Sequence, residues 1–105
     1  MLIKEQIKKF IDRDQVSFSN DGEIHFLKVP SYELPICVVN TTKFAYANKD
    51  YIKTIASLHT VPRALVKETF IEWLQSKFNN ELKDVVFIST PLYKYIVKLE
   101  IPFPN

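Results

Sequence analysis

The stretch "IASLHTVPRALVKETF", residues 55–70, contains two helical patterns separated by a short break, and it decides how the second half of the chain is interpreted. The first pattern predicts a helix over residues 49–58. The break is "HTVP", where Thr60 is a candidate helix cap and Pro62 fits a first helical turn, which needs no intrahelical donor. After the break, a wide apolar stripe predicts a second, deeply buried helix that continues to about Phe78.

Before this stretch, the patterns predict one helix and three strands. Apolar residues at helical spacing predict a helix over residues 2–13. Asp21-Gly22 is a tight-turn dipeptide between two alternating runs, so residues 15–29 are predicted to form a β-hairpin. "ICVVN" is a third short strand, and "KFAYA" either extends or follows it. The apolar residues expected on one shared face of the hairpin are Val16, Phe18, Ile24 and Phe26.

After the two helices, two further strands are predicted. "DVVFIS" is a short apolar run, and "YKYIVKLEI", residues 93–101, alternates between apolar and charged positions. The predicted order is therefore α-β-β-β-α-α-β-β, in a single α+β domain over residues 1–105. Its sheet is expected to be mostly antiparallel and packed by helices.

Composition excludes several function classes. The chain has one glycine, which argues against a phosphate-binding glycine loop. Cys37, the only cysteine, lies in an apolar run and is expected to be buried and inert. His25 and His59 have no motif spacing for catalysis or metal binding, so we predict a non-enzymatic protein without metal or cofactor. No apolar run approaches about 18 residues, so we predict no membrane association and a cytoplasmic location.

The helix-break-helix stretch has packing positions typical of a DNA-binding unit. Ala56 can be the small residue at the helix contact, and Val61 and Val66 can be the two apolar residues that hold the helices together. With the strands that follow, residues 48–101 resemble the winged helix-turn-helix class in element order. The resemblance implies nucleic-acid binding by a small regulator or accessory factor. The residues implied to contact nucleic acid are Arg63 and Lys67 on the second helix and Lys94 and Lys98 on the wing.

Several features oppose that interpretation, and a second one stays open. The net charge is only +2, and Glu68 and Glu72 put negative charge on the helix that would approach phosphates. Lysine occurs twelve times and arginine twice, which indicates AT-rich coding, as in a low-GC microbe or its phages. Small, glycine-poor domains with such coding are typical of phage and mobile-element accessory factors. The alternative is an accessory protein that binds and inhibits a host protein through an aromatic surface patch. Candidate residues for that patch are Tyr32, Phe44, Tyr46, Tyr93, Tyr95 and Phe103.

Overall fold

The computed structural model describes residues 2–39 and 44–89, which form three helices and five strands of an α+β fold. The elements are α1 (Ile3–Arg13), β1 (Ser17–Asp21), β2 (Ile24–Lys28), β3 (Cys37–Val39), β4 (Phe44–Asn48), α2 (Lys49–His59), α3 (Arg63–Lys77) and β5 (Asp84–Ile88). The predicted strand over residues 93–101 lies outside the described residues, as do Lys94 and Lys98.

The five strands form one mixed sheet in the order β1-β2-β3-β4-β5. The pairings β1–β2, β2–β3 and β3–β4 are antiparallel, because short connections return the chain beside the strand before it. β5 pairs with β4 in parallel, because α2 and α3 carry the chain back across the sheet between them. The expectation of mostly antiparallel pairing therefore holds for three of the four described strand pairs.

The predicted element order was wrong at one place, because a fourth strand precedes α2. The residues of "KFAYA" supply this strand, in which bulky Phe44 and Tyr46 alternate with Ala45 and Ala47. The two alanines are buried on the side that faces the helices. A small side chain gives little signal of burial in a sequence pattern, which is why the strand was not separated from its neighbour.

The hairpin is confirmed, but its predicted faces were wrong. The turn pairs Asp21 with Ile24, and this pairing places Phe18 opposite Leu27. Since side chains alternate along a strand, Ile24 and Phe26 then lie on the other side of the sheet from Phe18. Register set by the turn, rather than by matching apolar residues, decides the faces here.

The main core lies between the three helices and one face of the sheet. Leu27, Cys37 and Ala47 form a row of register partners across β2, β3 and β4, and all three are buried. The helices cover this row with the apolar residues Ile7, Ile11, Ile52, Ile55, Val66, Phe70 and Leu74. The opposite side, which we call the outer sheet face, carries a smaller apolar group: Ile24, Phe26, Val38, Tyr46, Val86 and Ile88.

The break between α2 and α3 differs in detail from the prediction. Asn48 caps α2 as the residue type suggests, since its side-chain oxygen accepts a hydrogen bond from the Asp50 backbone N–H at 2.9 Å. Thr60 does not cap α3. It instead ends α2 in the left-handed conformation with φ of 54°, and Pro62 directly precedes α3.

The expected burial of α3 is confirmed for the described residues. Phe70 and Leu74 are fully buried, and Trp73 retains 4% of its exposure. The Trp73 indole N–H donates a hydrogen bond to Asp12 Oδ1 at 2.9 Å, which joins α3 to α1. Asn79 and Asn80 both have positive φ, as expected where asparagines follow a helix end.

Candidate nucleic-acid interface

Of the four residues predicted to contact nucleic acid, the structure describes Arg63 and Lys67, which differ in exposure. Arg63 is the first residue of α3, and its side chain is exposed. Lys67 lies one turn later and is half-buried, with its Nζ 5.5 Å from the centre of the Phe87 ring on β5. Lys94 and Lys98 lie outside the described residues. Of the four, Arg63 is therefore the side chain in the described part of the chain that is fully presented to a partner.

Arg63 lines a groove at the turn between α2 and α3, which we call the α2–α3 groove. Its described lining residues are Lys53, Ala56, Ser57, Thr60, Val61, Pro62 and Arg63, and its volume is about 480 Å³. Lys53 and Arg63 supply positive charge, and Ser57 and Thr60 supply hydroxyl groups. No carboxylate is found among these residues. The groove therefore has the donors that a phosphate oxygen requires.

The three packing positions predicted for the two helices lie on the interior side of this turn. Ala56 and Val66 are buried, and Val61 is half-buried and packs against the main core. The Val61 backbone N–H donates to the Ala56 carbonyl at 3.1 Å, which fixes the chain as it leaves α2. These contacts hold Arg63 and Thr60 at defined positions beside the groove.

The two glutamates of α3 that oppose an anionic partner are both engaged by α1. Lys4 Nζ lies 3.0 Å from Glu68 Oε1 and 2.6 Å from Glu72 Oε2, and Lys8 Nζ lies 3.1 Å from Glu72 Oε1. The hydrogen bonds from Lys4 and Lys8 lower the pKa of the Glu72 carboxyl. Two lysines therefore balance the two carboxylates, which reduces their repulsion of a nearby anion.

A second basic concavity lies between α1 and the end of α2, and we call it the α1–α2 pocket. Its described lining residues are Gln6, Lys9, Phe10, Arg13 and His59, and its volume is about 310 Å³. The His59 ring packs edge-on against Phe10, with ring centres 5.3 Å apart. His59 Nδ1 lies 3.0 Å from the Ile55 carbonyl, which orients the imidazole.

The sequence did not predict this pocket. In the α2–α3 groove it predicted Arg63 as a contact residue but not Lys53, Ser57 or Thr60. The structure directs Lys4 and Lys8 toward α3, whereas Lys9 lines the pocket. The spacing of Gln6, Lys9 and Arg13 along one side of α1 was the one available signal.

Other reactive side chains occupy structural positions. Cys37 is fully buried, and burial raises the pKa of its thiol, so the reactive thiolate is disfavoured. The His25 ring packs against Phe78 with ring centres 5.6 Å apart. Among residues 2–39 and 44–89, no cluster of three or more His, Cys, Asp or Glu side chains could hold a metal ion. The helices of these ranges include none that is long and apolar enough to cross a bilayer.

The aromatic residues considered for a protein-binding patch lie on different sides of the sheet. Tyr32 packs on the helical side, where its ring contacts Tyr51 and its hydroxyl lies 3.1 Å from Thr54 Oγ1. Tyr46 belongs to the outer sheet face and is half-buried there. The residues Tyr93, Tyr95 and Phe103 lie outside the described part of the chain. Phe44 lies two residues before Tyr46 in β4 and therefore on the same face of the sheet, away from Tyr32, so the described candidates do not form one patch.

Comparison of the chain with protein-family models, curated proteins and solved structures finds no match. The functional argument consequently rests on the geometry of the groove and the pocket.

Proposed function

We propose that the protein binds nucleic acid through the α2–α3 groove, as a small non-enzymatic regulator or accessory factor. One observation carries the proposal. Lys53 and Arg63 flank an exposed groove and, within the described ranges, form no ion pair. Further along α3, Glu68 and Glu72 are matched by lysines of α1. Unpaired cations beside hydroxyl groups suit contacts to the phosphate backbone.

In this proposal the helix-turn-helix supplies the framework for the contacts. The first turn of α3 presents Arg63, which is where residues that approach base edges lie in that class of protein. Lys67 has a secondary role, because its ammonium group already interacts with the Phe87 ring. Lys94 and Lys98 are proposed as phosphate contacts from a wing, on the basis of the sequence pattern alone.

The low net charge of the chain limits the affinity expected for nucleic acid. A net charge of +2 provides no strong overall attraction, so the affinity must come from a few local phosphate contacts. Binding through few contacts is weak and easily displaced by salt, and it carries little sequence information of its own. We therefore expect measurable binding at low ionic strength, a shallow decrease in affinity as salt is added, and little binding near physiological salt.

Fluorescence anisotropy with a labelled random-sequence duplex, and with the corresponding single strand, tests this proposal. The groove variant is Lys53→Gln with Arg63→Gln, and the matched control is Lys28→Gln with Lys83→Gln. All four residues are exposed, and both variants lose two positive charges. We expect the groove variant to bind at least about tenfold more weakly and the control to lose much less. Equal losses would show that the groove is not the contact surface.

The alternative, a phage or mobile-element protein that binds a host protein, is favoured by the outer sheet face. Phe26, Val38, Tyr46 and Val86 form a row of register partners across four strands, and Val86 is 37% exposed. Val38 is buried and Phe26 and Tyr46 are half-buried, so Val86 is the exposed apolar residue of this row that a protein partner would contact. A photo-crosslinking residue at position 86 should then capture one host protein that the same probe at Lys83 does not. The same products at both positions would argue against this alternative.

A further inference from the structure

We propose that the α1–α2 pocket is a binding site for the phosphate group of a small phosphorylated ligand, separate from the nucleic-acid surface proposed above. The site consists of Gln6, Lys9 and Arg13 from α1 and His59 from α2, with Phe10 adding an apolar surface. The side chains of Gln6, Lys9 and Arg13 can all donate hydrogen bonds to phosphate oxygens.

The first argument is that the two cations of the pocket have no counter-ion among residues 2–39 and 44–89. Lys4, Lys8 and Lys77 each lie within 4 Å of a carboxylate. Lys9 and Arg13, by contrast, form no ion pair with a residue of the described ranges, and the described lining contains no acid. Among the cations of α1, Lys4 and Lys8 are therefore matched by carboxylates of α3, whereas Lys9 and Arg13 are directed at a concavity.

The second argument is that the pocket wall is preorganised. Gln6, Lys9 and Arg13 are spaced at i, i+3 and i+7, so they lie along one side of α1. His59 is held from the opposite side by its Nδ1 contact to the Ile55 carbonyl and by the Phe10 ring. Because Nδ1 is engaged with a carbonyl, Nε2 is the ring nitrogen available to a ligand. Little side-chain conformational entropy would therefore be lost from His59 on binding.

The third argument compares the charges that an anion would meet. Both α1 and α2 end beside the pocket, and each helix end carries roughly half a negative charge. The two ends together contribute about one negative charge, against two full positive charges from Lys9 and Arg13. The partial negative charges of the two helix ends therefore offset only one of the two positive charges of Lys9 and Arg13. The remaining excess is positive, so the pocket favours an anion.

The size of the pocket favours a small ligand over a polymer. Its volume of about 310 Å³ is at the lower end of the range for small-molecule sites. Phe10 adds an apolar surface to the pocket. The organic part of a phosphate ester can pack against this surface, whereas inorganic phosphate has no apolar group to do so. The α2–α3 groove, at about 480 Å³, is the larger and more extended surface on the other side of the α2 terminus.

The test is an NMR titration of the full ¹⁵N-labelled chain with inorganic phosphate, with ribose 5-phosphate and with a short DNA duplex. Sodium chloride at matched ionic strength is the reference. We expect both phosphate compounds to shift the amide signals of residues 6–13 and 59 in a saturable way. Tighter binding of ribose 5-phosphate would show that the ester is preferred, and equal binding would show that the phosphate group alone is recognised; either result supports the site.

Variants separate this site from the nucleic-acid surface. Lys9→Gln with Arg13→Gln should weaken phosphate binding at least about tenfold, because both full charges are removed. Lys53→Gln with Arg63→Gln should leave it unchanged while reducing duplex binding, so either proposal can fail without the other. The site is refuted if chloride produces the same shifts, if the double variant binds phosphate like the parent, or if the duplex shifts these signals in competition with phosphate.

Discussion

Trp73 should be the side chain whose loss most clearly reports the packing of α3. Its ring is stacked against Phe70 with centres 5.9 Å apart, and its indole N–H donates to Asp12. Trp73→Ala leaves a large cavity, and such changes cost about 3–5 kcal/mol. A domain of this size is stable by about 5–15 kcal/mol, so the variant should be close to unfolding.

The variant Trp73→Phe separates the loss of aromatic packing from the loss of the hydrogen bond to Asp12. Phenylalanine keeps most of the aromatic volume but loses the hydrogen bond to Asp12, whose side chain is 57% exposed and can be rehydrated. We therefore expect a loss of only about 1–2 kcal/mol. Urea denaturation followed by circular dichroism measures both variants, because the only tryptophan is removed. A loss below about 1 kcal/mol for Trp73→Ala would refute the packing described here.

Three further predictions concern separate features of the fold. Cys37 should react with a thiol reagent only on unfolding, because burial raises the pKa of its thiol; rapid reaction of the native protein would contradict its position. Glu72→Gln should lower the urea midpoint slightly at pH 7. Lys4 and Lys8 lower the pKa of Glu72 in the folded state, so ionised Glu72 stabilises the fold above its unfolded pKa of about 4.3, and this stabilisation is lost as the pH falls through the lower folded pKa. A difference in urea midpoint between the parent and Glu72→Gln that persists at pH 2 would argue against these ion pairs. Thr60→Gly should raise the free energy of unfolding by roughly 0.5–1 kcal/mol, because glycine adopts the left-handed conformation without strain; a decrease, measured in urea, would mean that Thr60 does not terminate α2 in this way.

Local patterns predicted most of the described elements, since each depends on residues close in sequence. The apolar spacing in α1, the Asp21-Gly22 turn and the Asn48 cap all belong to this kind of signal. The faces of the hairpin and the parallel pairing of β4 with β5 were not predicted. They depend on the register of a turn and on how far two helices carry the chain across the sheet.

In the candidate sites too, features set by local sequence were predicted and features set by tertiary contacts were not. The exposure of Arg63 followed from its place at the start of α3, whereas the half-burial of Lys67 depends on Phe87, a residue of the neighbouring sheet. The compensation of Glu72 depends on Lys4, which lies 68 positions away. No local pattern contains that contact. The α1–α2 pocket was missed for the same reason, because its two walls meet only in the folded chain.

The salt dependence of duplex binding tests the proposed nucleic-acid surface most directly. Each phosphate contact contributes about 0.9 to the slope of log K against log salt concentration. The variant Lys53→Gln with Arg63→Gln should therefore have a slope smaller than the parent's by about 1.8. The control variant Lys28→Gln with Lys83→Gln should keep the parent's slope. The proposal is contradicted if the groove variant keeps the parent's slope, or if the parent shows no salt-dependent binding at all.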